Sequence, residues 1–161
     1  TVDYSLCIAL TGNYTINSSV ATGGSNFQTF NDAVSALACG IVGPVVFNVV
    51  SASGPYNEQV SIPEVSGVSS VNTVTFNGNG NTLTFNATVV GAPHTFALAG
   101  ADNIKVNNLI IEGTGPTYAL VCHLWNDADN NTFTNCTFNA PANGSTTTQV
   151  PFSISGSATA A

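Results

Sequence analysis

ADNIKVNNLIIEG (101–113) and ADNNTFTNCTFNA (128–140) are two versions of one pattern, and this repeat decides the fold. The offset is 27 residues, from 101 to 128, and Ala, Asp, Asn and Asn recur at the first, second, third and eighth positions. Apolar residues keep their places too: Val106 and Phe133, Leu109 and Cys136, Ile111 and Phe138. Self-similarity at a fixed period is typical of stacked-coil proteins. Since each unit consists of short strands joined by Asn/Gly turns, the sequence predicts a β-solenoid.

Short strands alternate with turns from residue 41 onward. The stretches 72–76 and 81–85 flank the turn NGNG, with apolar residues on one face and threonines on the other. The pattern predicts inward ladders that place Val106 over Phe133, Ile111 over Phe138, and Phe96 and Leu98 near Cys122 and Leu124. Asn108 over Asn135 is expected to form an asparagine ladder in a turn, each side-chain amide bonding to the next coil. A β-sandwich is the alternative, which we disfavour because the repeat includes turn residues as well as core residues.

The N-terminal part of the chain follows a different pattern. Residues 1–25 predict an extended arm with one or two strands, residues 26–40 a capping helix, and residues 41–161 the coils. Within the helix (26–38), one apolar stripe is formed by Phe27, Phe30, Val34 and Leu37. Asn26 or Ser25 can cap its start, and Gly40 follows its end. We expect this helix to cover one end of the β stack.

Charged residues are scarce, and nearly all are negative. They make up 6% of the chain, against roughly 25% in a typical soluble domain. Lys105 is the only basic residue, and the net charge is −7. This argues against nucleic-acid binding, which needs Lys or Arg to neutralise phosphates, and against docking on an anionic membrane. No run approaches the roughly 18–20 apolar residues of a membrane span, so membrane insertion is not expected.

Four cysteines and no methionine suit an extracellular protein. Cys7 and Cys39 are expected to form a disulfide that ties the N-terminal arm to the end of the helix. Cys122 and Cys136 occupy inward positions, where buried free thiols and a second disulfide both remain open.

Five segments resemble right-handed parallel β-helix repeat proteins that Bacteroidetes secrete, commonly through the type IX system. The segments, which cover nearly the whole chain, are 14–40, 43–67, 72–85, 97–113 and 124–138. The resemblance implies an all-β, right-handed parallel β-helix (solenoid) with one N-terminal capping α-helix, at the cell surface or outside the cell. It also implies that the chain is the N-terminal segment of a longer protein.

Residues 56–62 also resemble the start of pectin methylesterases, where a helix leads into a strand and a Tyr-x-Glu-x-Val-x-Ile segment. This likeness implies a shared way to begin a β-helix. The esterase motifs that carry the catalytic aspartates and arginine have no counterpart in this sequence.

Acidic residues form the best candidate metal site. Asp127 and Asp129 lie two apart beside a turn, and Asp102 is expected one coil below Asp129. Carboxylates can bind Ca²⁺, and pairs of them can hydrolyse glycosidic bonds. Asp side chains also hydrogen-bond the backbone of turns, which is the interpretation we favour. A weak Ca²⁺ site is the alternative, and no other cofactor is expected.

The remaining polar residues form no recognisable catalytic set. His94 and His123 lack the spacing of a metal site and are expected to be ordinary surface or turn residues. Lys105 is expected to be a solvated surface residue. Glu58, Glu64 and Glu112 show no pairing at a catalytic spacing, and no GxSxG motif is present. We therefore expect no enzymatic activity.

Three functional hypotheses follow. The leading one is a non-enzymatic extracellular or cell-surface structural protein, an adhesin or filament module that joins copies of itself or further β-helix modules end to end. The alternative is a carbohydrate-binding or polysaccharide-processing β-helix module, in which Tyr56, Tyr118 and Trp125 are the candidate contacts for surface glycans. A second alternative is an ice-binding surface made by the pairs Thr73/Thr75, Thr82/Thr84 and Thr132/Thr134, although threonine is favoured on strand surfaces in general.

Overall fold

The computed structural model describes residues 7–142 and 148–159. The first six residues of the predicted arm lie outside the described residues. The elements are β1 (Leu10–Ile16), β2 (Asn26–Phe27), α1 (Phe30–Leu37), β3 (Ile41–Val49), β4 (Tyr56–Asn57), β5 (Val60–Pro63), β6 (Val74–Asn77), β7 (Thr82–Phe85), β8 (His94–Ala99), β9 (Ile104–Asn107), β10 (Ile110–Gly113), β11 (Ala119–Trp125), β12 (Thr132–Thr134), β13 (Thr137–Asn139) and β14 (Gln149–Ile154).

The strands stack coil upon coil in three parallel sheets. Sheet A has the order β12-β9-β6-β3-β1-β2, sheet B the order β13-β10-β7-β4, and sheet C the order β14-β11-β8-β5. From β3 onward each coil gives one strand to sheet A, then B, then C, and all pairs between these strands are parallel. This arrangement confirms the β-solenoid and excludes a sandwich, whose strands pair antiparallel.

Inward side chains form the predicted ladders. The register places Val106 beside Phe133, Ile111 beside Phe138, Phe96 beside Cys122, and Leu98 beside Leu124. At the other end of the stack, the rings of Phe47 and Phe76 stack with centroids 4.9 Å apart. The core is therefore a column of apolar side chains that runs along the solenoid, because side chains alternate between inside and outside along each strand.

Asparagines in the left-handed backbone conformation form the corners. Asn79, Asn108 and Asn135, with φ of 50°, 51° and 53°, lie between sheets A and B, while Asn103 and Asn130, with φ of 52° and 56°, precede sheet A. Of the residues that carry a β-carbon, Asn is among the few that visit this conformation routinely. The asparagines that recur in the sequence repeat therefore lie at the corners of successive coils.

The predicted asparagine ladder forms at other residues. Asn77 donates an amide hydrogen bond to Asn48 over 2.9 Å, and Asn107 donates to Asn77 over 3.0 Å. These residues are in register on neighbouring strands of sheet A, where strands spaced roughly 4.8 Å apart let the amides meet. The prediction of amide bonds at Asn108 and Asn135 was wrong, because the ladder runs along the strands rather than along the corner.

The capping helix α1 starts later than its sequence pattern predicts. It begins at Phe30, because Asn26 and Phe27 are extended and pair with β1. Thr29 is the N-cap, and its hydroxyl accepts a hydrogen bond from the Asp32 amide at 3.0 Å. The predicted caps, Asn26 and Ser25, were therefore wrong. Among the described residues, no helix is long and apolar enough to cross a membrane.

Glu58 and the helix side chains fix α1 on the N-terminal end of the stack. Phe30 is buried and packs edge-on against the ring of Tyr56, with centroids 5.1 Å apart. Both carboxylate oxygens of Glu58 accept hydrogen bonds from the first helical amides, those of Phe30 at 3.1 Å and Asn31 at 2.9 Å. Acidic groups are favoured here because the free amides and the helix dipole are positive at this terminus.

The disulfide between Cys7 and Cys39 is confirmed, with the two Cα atoms 5.4 Å apart. It joins the segment before β1 to the residue after the C-cap of α1. Cys122 and Cys136 are free, so the second disulfide does not form.

Candidate functional site

One of the three candidate acidic residues, Asp102, binds the backbone of a corner. Asp102 accepts a hydrogen bond from the Asp129 amide at 2.7 Å, so this carboxylate ties one coil to the next, as the turn interpretation predicted. Asp127 and Asp129 line a small groove of about 190 Å³ together with Trp125, Ile154 and Ser155. Within the described part of the chain, no three His, Cys, Asp or Glu side chains converge closely enough to hold a metal ion.

The two histidines are buried rather than exposed, which corrects the expectation of surface residues. His94 lies at the start of β8, where burial, and secondarily the charge of His123, lower its pKa to about 4. Burial also lowers the pKa of His123. Both rings are therefore neutral at pH 7.

His123 forms one side-chain hydrogen bond. Its Nε2 lies 2.8 Å from the Ser155 hydroxyl, which itself donates to the Ser157 carbonyl at 2.8 Å. This contact joins the buried ring to the segment that follows β14.

The aromatic candidates for carbohydrate contact do not come together. Tyr56 is only 3% exposed, and its hydroxyl contacts Ser53 at 2.6 Å, so its ring offers no face to a sugar. Tyr118 is partly exposed in the connection between sheets B and C, whereas Trp125 ends β11. These three residues therefore form no common platform.

Threonine pairs also fail to form one flat array. Thr82 and Thr84 lie in β7 of sheet B, whereas Thr132 and Thr134 lie in β12 of sheet A. Within sheet A, Lys105 lies in register between Thr75 and Thr132 and is exposed, as predicted for a surface lysine. The geometry thus gives no support to an ice-binding face.

At the C-terminal end of the stack lies a cluster of three phenylalanines, which we call the open end. Phe133, Phe138 and Phe152 come from sheets A, B and C, with ring centroids 5.3–5.7 Å apart. Phe152 is 37% exposed although its ring points to the other two, and Ile154 beside it is 73% exposed. Among the described residues, no strand pairs with the outer edges of β12, β13 and β14.

The free cysteines lie just beneath the open end. Cys122 is fully buried between Phe96 and Phe152 in the register of sheet C, and Cys136 is half-buried. Burial, and secondarily Cys136, raises the pKa of the Cys122 thiol well above its usual range. Since the thiolate is the reactive form, Cys122 acts as a small apolar side chain of the core.

A groove of about 610 Å³ follows the corner between sheets A and B. The connection at this corner shortens from coil to coil, comprising residues 50–55, then 78–81, then 108–109. The longer first connection therefore overhangs the next coils. The groove, which we call the corner groove, is lined by Ser51, Ala52, Gly54, Pro55, Asn79, Gly80, Asn81, Thr82, Thr84 and Glu112.

Sequence reasoning expected an uncapped end near residues 150–157, where stacking or continuation would occur, but it missed the corner groove. It placed Phe133 and Phe138 on inward ladders but did not recognise that Phe152 completes a cluster with them. For the corner groove, the available signal was the decreasing length of the turns after successive strands of sheet A. Thr82, Thr84 and Glu112 were considered separately, because their proximity depends on the register of β7 and β10.

Comparison of the chain with protein families, with curated proteins and with solved structures found no match in any of the three searches.

Proposed function

We propose that the chain is a non-enzymatic structural module of an extracellular or cell-surface protein, which joins a second copy through its open end. The single observation that carries the proposal is the exposed Phe152 cluster, framed by three strand edges. Unpaired strand edges add strands readily, and a partly exposed aromatic cluster gains from burial. The second copy presents the same three strand edges and the same phenylalanine cluster.

Asymmetry between the two ends determines the form of the assembly. Helix α1 covers the N-terminal end, where Phe30 is fully buried, and the disulfide holds the preceding segment. A head-to-tail stack would require that end to be open. Pairing of two open ends is an isologous contact and closes at two copies. A longer filament therefore requires a further β-helix module with two open ends.

Other features support the extracellular, non-enzymatic role. The disulfide suits an oxidising compartment. The best acid–base candidates already have structural partners, since Asp102 accepts a hydrogen bond from a corner amide and His123 is hydrogen-bonded to Ser155. In this proposal the chain belongs to the secreted Bacteroidetes β-helix proteins that its sequence resembles, with type IX secretion as its route.

Sedimentation equilibrium of the 161-residue chain tests the association. We expect a monomer–dimer equilibrium that strengthens with added salt, because each copy carries a net charge of −7. Phe152→Asp and Ile154→Asp are expected to abolish it, since each places a charge on the open end. Val71→Asp is the matched control, because Val71 is 77% exposed in the connection before β6.

A strictly monomeric chain at all concentrations would contradict the proposal. So would an unchanged equilibrium in both open-end variants. Ile154 is 73% exposed, so its substitution leaves the fold intact, and circular dichroism spectra should verify that for every variant.

A further inference from the structure

We propose that the corner groove binds a neutral glycan. The site lies on the outer side of the solenoid, among the connections 50–55 and 78–81 and the strands β7 and β10, whereas the open end is formed by β12, β13 and β14. The two surfaces are separate, and this inference does not depend on end-to-end association.

The walls of the corner groove are already in place. Asn81 is 5% exposed, and its side-chain amide donates to the carbonyls of Val50 at 3.0 Å and Gly78 at 2.8 Å. Its side-chain oxygen accepts from the amide of Gly54 at 2.8 Å. One buried side chain thus fixes the long connection to the turn of the next coil. A groove held this way binds without first having to order itself.

Unused hydrogen-bonding groups line its floor. The hydroxyls of Thr82 and Thr84 and the carboxylate of Glu112 form no hydrogen bond or ion pair with the described residues. Thr84 and Glu112 are direct neighbours across β7 and β10, so their polar groups point the same way from adjacent strands. Ala52 and Pro55 add small apolar patches to the wall. Hydroxyl and carboxylate acceptors beside apolar patches match the hydroxyls and C–H faces of a sugar.

Charge determines which glycan fits. Among the described residues, Glu112 is the only charged one that lines the corner groove, and the whole chain carries −7. A uronate, sulfated or phosphorylated ligand would meet a carboxylate without a compensating cation. A neutral sugar instead can donate its hydroxyl protons to Glu112, and hydrogen bonds to a charged acceptor are the stronger ones.

A peptide fits the corner groove less well. Extended peptides bind sheets by adding a strand to a free edge. Here β7 pairs with β4 and β10, and β10 pairs with β7 and β13, so both floor strands are occupied on each side. On these strands Leu83 and Ile111 are buried in the core, whereas Phe85 and Ile110 are half-buried.

Isothermal titration calorimetry with neutral oligosaccharides tests the proposal. The panel comprises cello-, xylo-, manno- and malto-oligosaccharides, with oligogalacturonate as the acidic comparator and an unstructured polar peptide as the peptide comparator. We expect at least one neutral member to bind and the two comparators to bind more weakly. Glu112→Ala and Thr84→Val should each weaken binding by about tenfold, the effect of one lost hydrogen bond.

Thr137→Val is the matched control, because Thr137 lies on the same outer face of sheet B but not in the groove, and its affinity should be unchanged. Amide chemical shifts of Gly54 and Gly80 should move on titration. The proposal is overturned if no neutral oligosaccharide binds, if oligogalacturonate or the peptide binds as tightly, or if neither groove substitution weakens binding. Since Glu112→Ala should leave the sedimentation behaviour unchanged, failure here is distinguishable from failure of the association.

Discussion

Asparagine has a defined structural role at individual positions of this chain. Among the described residues, eight positions other than glycine have positive φ, of which six are Asn, one is Asp127 and one is Ala52. A solenoid must turn several times per coil, and its tight corners use the left-handed conformation, which Asn tolerates because its short amide bonds locally. The Asn-rich composition is thus a direct consequence of the coil geometry.

Burial of His94 makes the unfolding free energy of the protein depend on pH. Its pKa is about 4 in the folded chain and about 6.5 in the unfolded chain, so the unfolded chain binds the proton first as pH falls. The contribution of His94 to the unfolding free energy should therefore be complete above pH 6.5. It should decrease as the pH falls toward 4, by at most about 3 kcal/mol for this one group. His123, whose pKa is also lowered, adds a loss of the same sign.

Urea unfolding at pH values between 7 and 5 measures this effect before the carboxylates, with ordinary pKa values near 4, contribute strongly. The variant His94→Leu should show a flatter pH dependence than the wild type. An equally steep decrease in the variant would assign the effect to other groups.

Residue-scale predictions from sequence were right where a pattern repeats and wrong where burial depends on distant segments. Val106, Phe133, Ile111 and Phe138 could be assigned to the core because two copies of the repeat agree. His94 and His123 could not, because both faces of sheet C at these positions are buried, and strand alternation alone predicts only one buried face.

Among the elements, α1 is the one whose position depends most on a single distant residue. Glu58 accepts from two helical amides and from the Asn31 side chain, all at 2.9–3.1 Å. The segment 56–62 therefore has two roles. Its alternate residues enter the core, and Glu58 caps the helix. This explains in physical terms why a Tyr-x-Glu-x-Val-x-Ile segment follows a helix here.

Removing that carboxylate should loosen the capped end. Glu58→Ala is expected to lower the unfolding free energy by about 1–2 kcal/mol, the usual cost of a lost cap. Glu64→Ala, which removes the same charge from an exposed position after β5, is the control and should have little effect. Chemical denaturation measures both, and equal losses in the two variants would argue against a capping role.

The start of α1 shows the limit of sequence reasoning for elements. Phe27 fits the apolar stripe of a helix, yet it is extended because pairing with β1 and contact with Tyr14 and Phe47 decide its conformation. Local periodicity could not distinguish these outcomes. The register of β12 on β9 and of β13 on β10, in contrast, followed from the 27-residue offset of the repeat.

For the molecule as a whole, the disulfide is the one covalent constraint across the N-terminal end. It closes a loop with a sequence separation of 32 residues that contains β1, β2 and α1. In the chain-entropy account, such a loop stabilises the fold by about 3–4 kcal/mol.

Thermal unfolding with and without reductant checks this expectation. Reductant should lower the midpoint of the wild type but leave Cys7→Ser/Cys39→Ser unchanged, because Cys122 and Cys136 are already free thiols. An effect of reductant on the double variant would contradict this assignment.

The fold was predictable from the sequence to a much greater extent than the candidate sites. A repeat fixes the coil, but the corner groove arises from differences between coils, namely the shortening of one corner from 50–55 to 108–109. An uncapped end was expected near residues 150–157, but its phenylalanine cluster was not, because Phe152 lies in β14, outside the repeat. The repeat predicts what successive coils share, so it could predict neither the differing corner lengths nor the position of Phe152.

Lys105 gives the chain a single site for cleavage by trypsin. It is the only Lys or Arg in the chain, and it lies in β9, paired on both sides with β6 and β12. Trypsin, which cuts only after these residues, therefore has one bond available, held in the middle of a sheet. Cleavage of the native protein into two fragments would require that single coil to open. The rate of tryptic cleavage therefore measures local unfolding of this coil.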